Sequence, residues 1–191
     1  MAGKQAKVLS DEHIGGLLFL AKSSRYPDRN RLIVLLSVKA GLRAAEIAKL
    51  TWEMVLEPSG KVADAIALHD SIAKKRSGRT IPIHPELRSA LDKWRTNQRP
   101  VGPVIKSERG GSMRPISIVN WFATAYQMLG LEGCSSHSGR RTFITRAARS
   151  VHRTGGSLRD VQLLAGHRSI QTTQRYIDGD SDAQRKLVAL I

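Results

Sequence analysis

The sequence predicts a mainly helical domain carrying a small antiparallel β-sheet, an α+β arrangement. Apolar residues recur at helical spacing through most of the chain. One central stretch, Val62 to Ile83, instead holds short β-prone runs around a basic turn. Across 191 residues there is no internal repeat, low-complexity tract or linker, which reads as one domain spanning 1–191. Residues 1–9 read as a tail and 178–191 as a C-terminal helix.

Ser10-Asp11 opens a first helix whose Ile14, Leu17, Leu18 and Ala21 share a face, and Tyr26-Pro27-Asp28 breaks it. A second helix from Arg31 to about Ala40 is apolar nearly all round, which places it at the centre of the core. Gly41 closes it, and Arg43 stands before a third helix, Ala44 to Leu50. Val62–Leu68, Ser71–Ala73 and Arg79–Ile83 read as short strands, with Lys74 to Gly78 as a basic turn. Pro82 puts its strand at an edge or ends it there. Pro85 starts a helix that Pro100 and Pro103 end, and Pro115 starts another running to about Leu129. A long helix follows from about Gly139 to His152. Ser157 and Asp160 have capping-box spacing and open the helix that Gly166 stops. Ser169 reads as the N-cap of a short helix leading to Tyr176, its hydroxyl accepting from first-turn amides, and Asp180 as the N-cap of the last helix.

Charge is the unusual feature of the composition. Lys and Arg number 31 against 16 Asp and Glu, a formal +15. Such an excess favours a polyanionic partner through steering and counterion release, although it equally serves solubility. Cys134 is the single cysteine, so no intramolecular disulfide forms and a reducing interior is expected. The apolar run from Ile14 to Ala21 follows Asp11-Glu12-His13 and lacks a cleavage site, and no run is long enough to span a bilayer. These features predict a soluble cytoplasmic protein without membrane contact.

Four segments present groups that handle phosphate. Arg43 stands at a helix start with Glu46 one turn on. Lys74 and Lys75 sit in the basic turn. His137 and Arg140 share one side of a first helical turn. His167 precedes Tyr176 by nine residues. Taken singly, each reads as an ordinary surface, hairpin or capping residue. Their order and spacing together resemble the tyrosine recombinases, the phage-integrase family: Arg43, Lys74, His137-x-x-Arg140, His167 and Tyr176. The boxes around them match as well, in Ala40-Gly-Leu-Arg43 with Glu46-Ile47, in Ile81-Pro82-Ile83, and in Leu163 to His167 with Thr172 to Tyr176.

The resemblance implies the catalytic-domain fold of that family and a DNA strand-exchange enzyme. In it Arg43, Arg140, His137 and His167 bond the scissile phosphate, and His137 helps to accept the tyrosine proton. Lys74, or its neighbour Lys75, protonates the departing 5′ oxygen. Glu46 orients Arg43. Tyr176 attacks to form a 3′-phosphotyrosyl bond. Each preorganised donor to the transition state is worth ~3–4 kcal/mol. Lys75, Arg76, Arg79, Arg141, Arg168 and Arg175 are the expected DNA contacts. The resemblance implies neither cofactor, ATP nor metal. It further implies double-stranded DNA as partner, a homotetramer on paired sites, DNA-bending accessory proteins and a prokaryotic or phage setting. The last helix would pack on a neighbouring protomer or on its own core. Arg141 stands where many relatives have histidine, and Gly139 where leucine is common, which predicts a looser helix start. Only about nine residues precede the first catalytic helix, where most relatives carry a core-binding domain, so the chain reads as a naturally short recombinase or a cut-down one, and weak, salt-dependent DNA binding is expected. Two other readings stand beside it: a type IB topoisomerase-like enzyme, which shares the chemistry, and a DNA-binding accessory protein that keeps the fold without catalysis.

Overall fold

The computed structural model describes residues 6–73, 78–97, 99–176 and 188–189. Helix α1 (Asp11–Lys22) starts at Ser10, whose Oγ accepts from the His13 amide at 3.1 Å. Helix α2 (Pro27–Lys39) begins four residues before the expected Arg31. Pro27 is therefore its first residue and not a break, because the amide that proline lacks has no intrahelical partner there. Every residue from Leu32 to Val38 is buried, and α2 packs against α1 and two later helices. As expected from its all-round apolarity, it is the centre of the main core.

After α3 (Ala44–Lys49) and a 3-10 turn at Trp52–Met54, strand β1 (Ala65–Leu68) pairs antiparallel with β2 (Arg79–Pro82). Their register sets Ala65 opposite Pro82 and Leu68 opposite Arg79. The expected strand at Ser71–Ala73 is instead a turn: the amides of Ile72 and Ala73 both bond the His69 carbonyl, at 3.2 Å. Local bonding has taken the donors that a strand would offer a neighbour. Val62 likewise stays out of β1, bridging to Leu56. The basic tip, Lys74 to Ser77, lies outside the described residues.

Helix α4 (Pro85–Thr96) is capped by His84 Nδ1, which accepts from the Glu86 amide at 3.1 Å. Helices α5 (Pro115–Met128) and α6 (Ser138–Ser150) follow, with a 3-10 turn at Val151–Thr154. The capping box of α7 (Leu158–Ala165) forms as read, with the Ser157 amide on Asp160 Oδ2 at 2.7 Å. Gly166 ends α7 at φ 63°, in the left-handed region that suits glycine. Before α8 (Ile170–Gln174) the expected side-chain cap is missing, because the Ser169 hydroxyl bonds the Gln171 side chain instead. The expected helix from Asp180 lies outside the described residues, apart from 188–189. Among the described residues no helix is long and apolar enough to cross a membrane.

Two features of this packing position the site. A Cβ on Gly139 would come within 2.2 Å of Ser37 Oγ. Glycine thus seats the start of α6 directly on α2, the opposite of the looser start expected. Beyond the main core, Ile144, Ala148, Val161 and Ala165 form a small second cluster, against which Tyr176 packs.

Candidate active site

Glu46, one turn into α3, is 1% exposed and gathers two arginines. Its Oε1 accepts from Arg43 Nη1 at 2.7 Å and its Oε2 from the Arg43 amide at 2.9 Å. Arg79 adds a two-pronged pair, at 3.1 Å to Oε1 and 3.0 Å to Oε2. Burial alone would push this carboxyl up, but the bonds from Arg79 and Arg43 hold it at about 2 against an ordinary 4.5. The carboxylate is ionised at any working pH and turns Arg43 toward the neighbouring cleft.

Arg79 was expected among the DNA contacts, and the structure places it elsewhere. Its side chain is 4% exposed, and its Nε donates to the Leu164 carbonyl at 2.9 Å. It ties β2 to α3 and α7 from inside. Arg79 lies two residues from buried Ile81 on the same strand, so both share the inward face. That alternation was the available signal, outweighed by the run of basic residues before it.

Arg140 is the third residue of α6 and 4% exposed. Its Nη1 donates to the Gly41 carbonyl at 2.7 Å and its Nη2 to the Ala165 carbonyl. Gly41 makes this possible at φ +63°, where a Cβ would strike the Phe143 ring at 2.5 Å. Burial, followed by the nearby Arg43 and Arg79, lowers Arg140 to about 9, so it stays charged at neutral pH.

His167 follows the Gly166 cap. Its amide donates to the Gln162 carbonyl at 3.1 Å and its carbonyl accepts from Gln162 Nε2 at 2.9 Å. Its Nδ1 lies 2.9 Å from Thr173 Oγ1. Burial, then Arg140, Arg43 and Arg79, lower the imidazole to about 4, which leaves it neutral at pH 7. The Tyr176 ring stacks on it, centroids 5.6 Å apart at 25°. The Tyr176 amide bonds the Thr173 carbonyl at 3.0 Å, just past the end of α8.

These groups meet in one cleft of about 340 Å³, lined by Arg43, His137, Arg140, Arg141, His167 and Tyr176, together with Thr172 and Ala6. His137 is exposed at the N-cap of α6. Arg168 borders an adjoining depression between β2 and α7, and Arg175 is exposed. Lys74, Lys75 and Arg76 lie outside the described residues. A larger groove of about 520 Å³ between α1, α2 and α4 carries Arg31 and Lys93, but these pair with Glu86 and Asp28. Sequence reasoning passed over Thr173 and Gln162, which brace His167. Both are buried polar residues, and nothing in their spacing marks them out.

A cleft with two fixed guanidinium groups, two imidazoles and a phenol suits a phosphate diester: cations for the anion, an acceptor for a proton, and a nucleophile. Residues 7–182 match the model of the phage integrase family. The chain belongs to that family. It is 28% identical over 167 residues to the tyrosine recombinase XerC of Rhizobium meliloti (strain 1021), covering 85% of this chain and 49% of that protein. It is 29% identical over 188 residues to the XerC of Shewanella amazonensis, covering 94% and 60%. The chain thus spans about half the length of the first of these relatives and somewhat more of the second. Among solved structures, XerA recombinase superposes with a TM-score of 0.72 at 22% identity, over all of this chain and 65% of that one. A λ integrase dimer bound to a COC′ core site gives 0.70 at 19%, over 95% and 62%. The mainly helical fold with its two-stranded sheet is therefore the phage-integrase catalytic fold.

Proposed function

We propose that the protein cuts and rejoins DNA strands at specific sites through a tyrosyl intermediate. The phenol oxygen of Tyr176 attacks the scissile phosphorus and forms the Tyr–O–P bond, while the bond to the 5′ oxygen breaks. The tyrosine proton passes to His137. Lys74, in preference to Lys75, protonates the departing 5′ oxygen. Arg43, Arg140 and His167 donate to the non-bridging oxygens, where the five-coordinate transition state gathers charge. Glu46 and Arg79 hold Arg43 in place. The energy of the phosphodiester is kept in the 3′-phosphotyrosyl bond, so a 5′-hydroxyl can reverse the step without ATP. The cations occupy the place that a metal fills in other phosphoryl-transfer sites.

What supports this reading is the convergence of Arg43, Arg140, His167 and Tyr176 on one cleft from separate segments of the chain. Arg141, Arg168 and Arg175 around it meet the DNA backbone, a role that Lys75 and Arg76 share. Relatives bound to DNA as dimers support a pair of protomers per site, and a homotetramer on paired sites follows, helped by DNA-bending proteins. The setting is the cytoplasm of a prokaryotic cell.

The test uses supercoiled plasmids carrying either one or two copies of the DNA flanking the gene. The expected result is recombinant product from paired sites alone, lost in Tyr176→Phe. Relaxation without exchange would make it a topoisomerase. Binding with neither product, unchanged by Tyr176→Phe, would make it an accessory protein.

A further inference from the structure

We infer that Thr173 is a positioning residue for the strand-cleavage step, its buried hydroxyl holding His167 in the tautomer that carries the proton on Nε2, toward the cleft. The inference rests on the function proposed above and adds a residue that acts through His167.

Thr173 is 0% exposed and is the buried residue of α8. Its Oγ1 stands 2.9 Å from His167 Nδ1. Two arrangements fit that distance: the hydroxyl donates to Nδ1, or Nδ1–H donates to the hydroxyl. A neutral ring has a single N–H, so the choice at Nδ1 decides what Nε2 offers. With Nδ1 turned inward onto a buried oxygen, the opposite edge of the ring, bearing Nε2, is left to the cleft.

The cleft decides between them. It is built from Arg43 and Arg140 to receive an anion. If Nδ1 held the proton, Nε2 would face a phosphate oxygen with a lone pair, and the two would repel. If Thr173 donates, Nε2–H faces the oxygen and bonds it. A histidine beside three guanidinium groups gains little by protonating both nitrogens, since burial and Arg140, Arg43 and Arg79 all oppose its charge. The second-nitrogen partner therefore fixes the function of the first, as it does for metal-bound and catalytic histidines. Thr173 also stands one turn before the nucleophile, its carbonyl accepting from the Tyr176 amide at 3.0 Å. One residue thus sets the histidine proton and anchors the backbone that carries the phenol.

The experiment is nitrogen-15 NMR of the histidine-labelled protein at neutral pH, with His167 signals assigned by their loss in His167→Gln. In the wild type Nδ1 is expected to resonate as an acceptor nitrogen and Nε2 as a protonated one. In Thr173→Val, which keeps the shape but not the hydroxyl, both signals move toward the averaged position of exchanging tautomers. Thr173→Ser restores them. In parallel, DNA cleavage falls about tenfold in Thr173→Val, as for the loss of one hydrogen bond, and recovers in Thr173→Ser. A protonated Nδ1 in the wild type overturns the inference, and that measurement needs no variant to fold. Wild-type signals or undiminished cleavage in Thr173→Val also overturn it. If the tautomer behaves as stated but the wild type never cleaves DNA, the proposed function fails while the hydrogen-bond assignment stands.

Discussion

Arg43, Arg79 and Glu46 hang from α3 and β2, which pack into the main core, whereas Tyr176 leans on a satellite cluster of four buried side chains. Arg140 belongs with the first group, because Gly139 presses the start of α6 onto α2. The arginines are thus set beside the main core, and the nucleophile against the smaller one. Electrostatic stabilisation works only if the donors are already in place when charge develops. A nucleophile that must attack, stay bonded to DNA and be released needs a local structure that opens at low cost. The structure separates these demands by core.

The largest expected effect strikes the charged half. Glu46→Ala leaves the buried guanidinium of Arg79 and the half-buried one of Arg43 without their carboxylate, and is expected to cost about 3–5 kcal/mol in urea unfolding. A smaller loss would mean that water reaches these groups and that the cluster is less preorganised than its burial implies. Gly139→Ala attacks the joint between the halves. Its Cβ would meet Ser37 Oγ at 2.2 Å, so about 1–3 kcal/mol of stability is expected to go, and Ser37→Gly in the same protein should restore part of it.

Val161→Ala tests the other half. Removing two buried methyl groups from the satellite is worth about 1.6 kcal/mol. Hydrogen exchange is expected to show that loss on amides of α7 and α8 and little on α2. Equal loss in both places would mean that the two cores open as one unit. A separate effect is in pH. His167 is lowered in the folded protein to about 4 from an ordinary 6.5, so the unfolded chain binds its proton first. Its contribution is full above pH 6.5 and is lost as pH falls toward 4. Glu46, lowered to about 2 from 4.5, loses its contribution between those values in turn. Urea midpoints are expected to fall in both windows, and His167→Gln to flatten the upper one.

Much of this was legible in the residues themselves. Gly166 and the Ser157–Asp160 pair announce the ends of α7, because one chemical feature at one position decides each. The apolar girth of α2 marks it as central. Arg43, His137, Arg140, His167 and Tyr176 do reach a common cleft. What stayed hidden depends on contacts between distant segments. Nothing local to Gly139 tells that Ser37 lies against it. The inward turn of Arg79 is set by strand alternation, which basic neighbours obscure. Pro27 reads equally as a break or a first helical residue until the chain around it is known. Thr173 gains its meaning only from the imidazole placed over it.

The proposed chemistry is tested most directly by mapping the bond between protein and DNA. The protein would be incubated with nicked duplexes made from DNA flanking its gene, then digested, and the nucleotide-bearing peptide sequenced by mass spectrometry. The expected product is a single peptide with Tyr176 esterified to a 3′-phosphate. A nucleotide on any other residue, or on Tyr176 through a 5′-phosphate, would contradict the proposed chemistry.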